Sequence, residues 1–184
     1  DCDIENYSAL KNLKNKLQYL YFHNINDEEL EKICSITTGI GNCDFENLQY
    51  FAVAGNIDYI SDLSTPSFTS RGSSVQTSKS AKTITSIIPL KNLSEKTKNN
   101  IKYLSLNNNN ITSIEGISEF NNIFMLRLEY NCLSDLKGIG SLKNLEYLYC
   151  AGMKTLKVLD EFKEGSKLKY LITADSGLNT LKGL

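Results

Sequence analysis

Few side chains in this chain have the type and spacing to do chemistry, and they do not converge. His23 is the only histidine, so any Ser/His/Asp or Cys/His arrangement would have to use it. It reads instead as an exposed surface histidine. Asp27, Glu28 and Glu29 are consecutive carboxylates. They sit just ahead of Leu30, Ile33 and Ile36 at helical spacing, which makes them first-turn residues favoured by the helix dipole rather than an acid/base pair. The five cysteines, Cys2, Cys34, Cys43, Cys132 and Cys150, are irregularly spaced and include no CxxC, so a zinc or redox motif is unsupported. Cys34 and Cys43 are near enough in sequence to bridge; the other reading is reduced, buried thiols. Gly39 and Gly41 form no phosphate loop. We therefore expect no enzyme, no cofactor and no metal.

What does recur is apolar spacing. Ile101, Leu104, Leu106, Asn109 and Ile111 are followed by Ile123, Leu126, Leu128, Asn131 and Leu133, a step of 123 − 101 = 22 residues. Counting Ile101 as position 1, apolar residues fill positions 1, 4, 6, 11, 14, 17 and 20 of each unit. A third unit starts at Leu145, with one added residue that should bulge its turn, and a fourth starts at Leu168. Such a unit cannot bury its apolar face alone, but stacked units share one core. Positions 4 and 6 should point inward from a short parallel strand. Asn56, Asn109 and Asn131 fall at position 9, where an amide can serve backbone groups left open by the turn.

Upstream the pattern loosens. Leu48, Phe51 and Val53 fill positions 1, 4 and 6, and Leu17, Leu20 and Phe22 open an earlier unit. Asn26 and Glu29 have capping-box spacing ahead of a helix, and Ser94 is placed to cap a short helix before Ile101. The chain thus divides into irregular N-terminal units or a cap (1–47), a repeat (48–63), a Ser/Thr-rich stretch (64–83) and regular repeats (84–184). The stretch 64–83 is either an insertion or a degenerate repeat with a polar strand half. The abrupt start and stop of the pattern lead us to expect a segment of a longer array, with end-to-end self-association as a further option.

The segments IKYLSLNNNNITSIEGISEF and IFMLRLEYNCLSDLKGIGSLKNL resemble leucine-rich repeats. They look most like the class shared by bacterial internalins and SDS22-like proteins. The resemblance implies a curved α/β horseshoe-type solenoid, with a parallel sheet on the concave face and short helices, 3-10 turns and loops on the convex face. It also implies protein–protein recognition, as a secreted or cell-surface bacterial adhesion module. The alternatives are an intracellular scaffold or regulatory subunit, and a targeting domain of a larger protein.

The net charge of −1 argues against a nucleic-acid partner. No apolar run reaches the roughly 18–20 residues of a membrane span. A protein partner would meet positions 3, 5 and 7, which alternate with the buried ones. Position 3 reads Tyr19, Tyr50, Tyr103, Met125, Tyr147 and Tyr170; position 5 includes Arg127 and Tyr149. Tyrosine joins large area to a polar tip. The tyrosines would serve either as a structural ladder alone or as one that also touches the partner. The residues singled out for binding are Tyr103, Arg127, Tyr130, Tyr147, Tyr149 and Tyr170.

Overall fold

The computed structural model describes residues 8–35, 44–55, 82–159, 162 and 166–180. Six strands, β1 (Tyr19–His23), β2 (Tyr50–Ala54), β3 (Tyr103–Ser105), β4 (Met125–Arg127), β5 (Tyr147–Tyr149) and β6 (Tyr170–Ile172), form one sheet in chain order. Every pairing is parallel, and the register matches equal repeat positions: Tyr50 with Tyr103, Tyr103 with Met125, Met125 with Tyr147, Tyr147 with Tyr170. The 22-residue step therefore sets the stacking of the strands.

Positions 4 and 6 point into the core. Leu104, Leu106, Leu126, Leu128, Leu148 and Cys150 are all buried, and so are Ile111, Ile114, Ile117 and Phe120 from the back half of one unit. Together they form a single apolar cluster along the solenoid, each large member contributing roughly 1.5–3 kcal/mol.

The opposite side carries helix α1 (Asp27–Ser35), helix α2 (Glu95–Asn100) and 3-10 turns at Ile88–Asn92, Ile117–Glu119 and Ile139–Ser141. At the start of α1, Asn26 N–H donates to Glu29 and Glu29 N–H donates to Asn26, both at 2.9 Å. The capping box expected from sequence is formed, with the acidic triplet in the first turn. Asp27 also reaches across to accept from the Thr85 backbone N–H at 2.8 Å and its hydroxyl at 2.6 Å. Ser94 caps α2, accepting from Thr97 N–H at 3.1 Å. Gly116 and Gly138, at φ 95° and 94°, supply the left-handed turn ahead of two 3-10 turns, a conformation open to glycine at little cost.

Two asparagine ladders tie the units together. In the buried one, Asn131 Nδ2 donates to the Leu106 carbonyl of the preceding unit at 2.9 Å, and its Oδ1 accepts from Ile111 N–H at 3.0 Å. Asn109 does the same to Val53 O at 2.9 Å and Ile84 N–H at 3.1 Å. Val53 and Ile84 thus hold the places of positions 6 and 11 in one unit, and β2 pairs directly with β3. Asn56 and residues 57–81 lie outside the described residues, as do Cys2, Ile36, Gly39, Gly41 and Cys43. Where Met153 replaces asparagine, a turn at 154–155 takes up the added residue. There Thr155 Oγ1 donates to the Leu133 carbonyl at 2.7 Å.

The second ladder is exposed, at the residue before each unit. Asn47, Asn100, Asn122 and Asn144 donate to the carbonyls of Asn15, Glu46, Asn99 and Asn121 at 2.7, 2.8, 2.7 and 3.1 Å. Each bond reaches the preceding unit.

Candidate functional site

The strand face is built on a row of aromatic rings. Centroids lie 6.0 Å apart for Tyr19 and Tyr50, and 6.3 Å for Tyr50 and Tyr103. The row then passes through Phe124, 5.9 Å from Tyr103 and 5.0 Å from Tyr147. It ends with Tyr147 stacked on Tyr170 at 4.6 Å, with planes 8° apart. Phe124 fills the gap that Met125 leaves in the tyrosine column. Strand alternation alone missed it, because Phe124 precedes the strand. The signal was present, since the equivalent places hold Gln18, Gln49, Lys102, Glu146 and Lys169. A shallow depression of about 350 Å³ lies on this rim, with Lys102, Tyr103, Phe124 and Glu146 among its lining residues.

The next row contains the one arginine among the described residues. Arg127 Nη2 donates to Glu129 Oε1 at 2.7 Å and Nε to the same oxygen at 3.1 Å. Its guanidinium carbon stands 5.3 Å from the centre of the Tyr149 ring. The Arg127 side chain is 36% exposed and that of Glu129 only 10%. Glu129, at position 7, is thus the buried counterion of Arg127 and not a free contact residue. Column-by-column periodicity does not reveal this ion pair, because it joins positions 5 and 7 of one unit.

Burial raises the pKa of both Tyr50 and Tyr149. The nearby positive charge of Arg127 opposes the shift in each case, and Glu129 adds to it. Their hydroxyls therefore keep their protons through the neutral range. Ser105 bonds to the Tyr50 side chain and donates to Asn107 Oδ1 at 2.7 Å. Ala52 and Ala54, at positions 5 and 7 of the unit that holds β2, are buried.

Tyr130 stands apart from the columns. It follows β4 in a left-handed conformation, φ 55°, and is 50% exposed. A Cβ on Gly152 would lie 2.4 Å from Tyr130 Cδ1, so the Tyr130 ring rests on the Gly152 backbone. The structure brings Arg127 and Tyr149 into contact, and Tyr147 and Tyr170 into a stack. Tyr103 lies further along the same row, and Tyr130 lies at the C-terminal rim of the strands. Asn109 and Asn131 are buried and structural.

Among the described residues, no cluster of His, Cys, Asp and Glu could hold a metal ion, and no helix is long and apolar enough to cross a membrane. His23 is exposed. Burial pushes the Cys150 thiol up to about 12 and raises that of Cys34 further, so neither is a nucleophile near neutrality. Cys132 is an exposed free thiol.

No family model matches the chain, and no curated protein matches it. Solved structures do. Internalin C2 from Listeria monocytogenes superimposes with a TM-score of 0.55 at 20% identity, over 92% of this chain and 57% of its own. A leucine-rich-repeat protein from Leptospira interrogans gives 0.52 at 22% identity, over 94% of this chain and 41% of its own. The chain thus spans about half the length of these structures. Strand register, shared core and structural likeness together give the chain a leucine-rich-repeat solenoid fold of the kind seen in internalin C2.

Proposed function

We propose that this chain recognises another protein through the strand face of its solenoid, as a secreted or cell-surface adhesion module. The observation that carries the reading is the row of six aromatic rings flanked by the Arg127–Glu129 pair and Tyr149. Aromatic residues and arginine are enriched at the centres of protein interfaces, where they supply area and directed hydrogen bonds at low entropic cost. Because the rings stack on one another, the face is set before a partner arrives, which lowers the cost of binding. The near-neutral charge fits a protein partner better than a polyanion. The likeness to internalin C2 supports the surface assignment.

A second reading, an intracellular SDS22-like scaffold, draws on Cys132. An exposed free thiol is more at home in a reducing compartment. Fractionation of the full-length product separates the two. Recovery in the medium or at the cell surface supports the first, and recovery in the cytosol supports the second. Binding itself is tested with Tyr147→Ala/Tyr149→Ala, which should weaken a captured partner at least tenfold. An unchanged affinity would remove the strand face from the account.

A further inference from the structure

Position 8 is left-handed in five of the six described units: Asn24, Asn108, Tyr130, Gly152 and Asp175 sit there with φ between 53° and 70°, and Gly55 is the exception. Asparagine, aspartate and glycine enter this region at modest cost, whereas a bulky residue in it is an outlier. Tyr130 is the one large side chain in the column. Its ring is half exposed and occupies the space that a Cβ on Gly152 would need. Strain of this kind persists where something other than stability maintains it.

Arg127 lies on the same unit, three residues earlier. Two of its five N–H groups go to Glu129, and Nη1 has no acceptor among the described residues. The guanidinium is fixed between Glu129 and the Tyr149 ring. A second carboxylate brought to it would also meet the charge of Glu129, buried at 8% exposure. The free donors therefore suit a neutral oxygen.

We infer that Arg127, Tyr149 and Tyr130 form one recognition patch for an extended protein segment, and that Tyr130 is kept there for binding at the cost of local strain. Arg127 donates to a main-chain carbonyl of the segment. Tyr130 covers an adjacent apolar side chain. This assignment rests on the protein-binding reading above, and it names the chemistry of the partner.

The probe is a displayed library of random twelve-residue peptides selected on the whole chain. The peptides expected to emerge are rich in apolar residues and without acidic enrichment. Their affinity should change less than threefold between 50 and 500 mM NaCl and fall at least tenfold in Tyr130→Asn and in Arg127→Gln. Tyr130→Asn should also raise Tm by about 2–4 °C, the shift expected for about 1 kcal/mol in a domain of this size. A fall in Tm would make Tyr130 a structural residue and overturn the trade of stability for binding, whatever the peptides do. Acidic, salt-sensitive peptides would overturn the neutral-acceptor assignment. Peptides lost in Tyr147→Ala but unaffected in both patch variants would overturn the patch while leaving the strand-face reading intact.

Discussion

Asn109 joins Val53 to Ile84. Its side-chain amide donates to one and accepts from the other, at 2.9 and 3.1 Å, although the two lie 31 residues apart in sequence. Asn131 makes the same pair of bonds to Leu106 and Ile111, which are five residues apart. One buried side chain thus links backbone groups that are far apart in sequence in the way Asn131 links near ones.

Replacing Asn109 by alanine leaves the Val53 and Leu106 carbonyls and the Ile84 N–H without their side-chain partner in a buried setting. Each such loss costs about 1–3 kcal/mol. We expect Asn109→Ala to lose about 2–4 kcal/mol in urea denaturation, and Asn131→Ala a similar amount. An exposed rung, Asn122→Ala, should lose no more than about 1 kcal/mol, since water can replace the amide.

Removal of residues 57–82, a wider span than the Ser/Thr-rich stretch 64–83, should be tolerated if Val53 and Ile84 belong to one repeat. Excision of those residues leaves Gly55, Asn56, Thr83 and Ile84 at positions 8 to 11, the spacing of Asn108 to Ile111. The Lys82 bonds to Asn24 and Glu29 would be lost. We expect a folded chain with native circular dichroism, destabilised by no more than about 1–2 kcal/mol. Loss of cooperative unfolding would instead favour a degenerate repeat in 64–83.

Gly152→Ala places a Cβ against the Tyr130 ring at a backbone φ of 70°. It should cost about 1–3 kcal/mol. In the double mutant with Tyr130→Ala the steric part disappears and only the backbone part remains. A coupling of at least about 0.5 kcal/mol in the double-mutant cycle is expected; strict additivity would place the ring elsewhere.

The Cys150 thiol titrates near 12, above its ordinary value near 9, because burial disfavours the thiolate. The folded state then keeps a proton that the unfolded chain gives up. Its stabilising effect is complete below pH 9 and fades as pH rises from 9 toward 12. At pH 10.5 the loss attributable to this group is about 2 kcal/mol, and Cys150→Ala should flatten that slope. In the native state, alkylation followed by peptide mass mapping should label Cys132 readily and Cys150 only on unfolding.

Much of this architecture is visible in the sequence because apolar residues recur at positions that stacking makes equivalent. Leu104, Leu126 and Leu148 announce the strand register, and Asn26 with Glu29 announces the start of α1. The parts that escaped reading depend on neighbours in other units. Asn47, Asn100, Asn122 and Asn144 look like ordinary loop residues until stacking brings each against the preceding turn. Phe124 precedes its strand, and only the space above Met125 shows why its ring joins the tyrosines. The pairing of Arg127 with Glu129 depends on how far each side chain is buried, which periodicity does not carry. The left-handed backbone of Tyr130, which places it at the rim of the strand face, is likewise not carried by periodicity.

The claim that the strand face binds a protein is tested most directly by photo-cross-linking from its two sides. A benzoylphenylalanine replaces Tyr149 on the strand face, or exposed Gly140 in the 3-10 turn Ile139–Ser141 on the opposite side. With a partner that binds the wild-type chain, the account predicts an adduct from position 149 and none from position 140. An adduct from position 140 alone would contradict it.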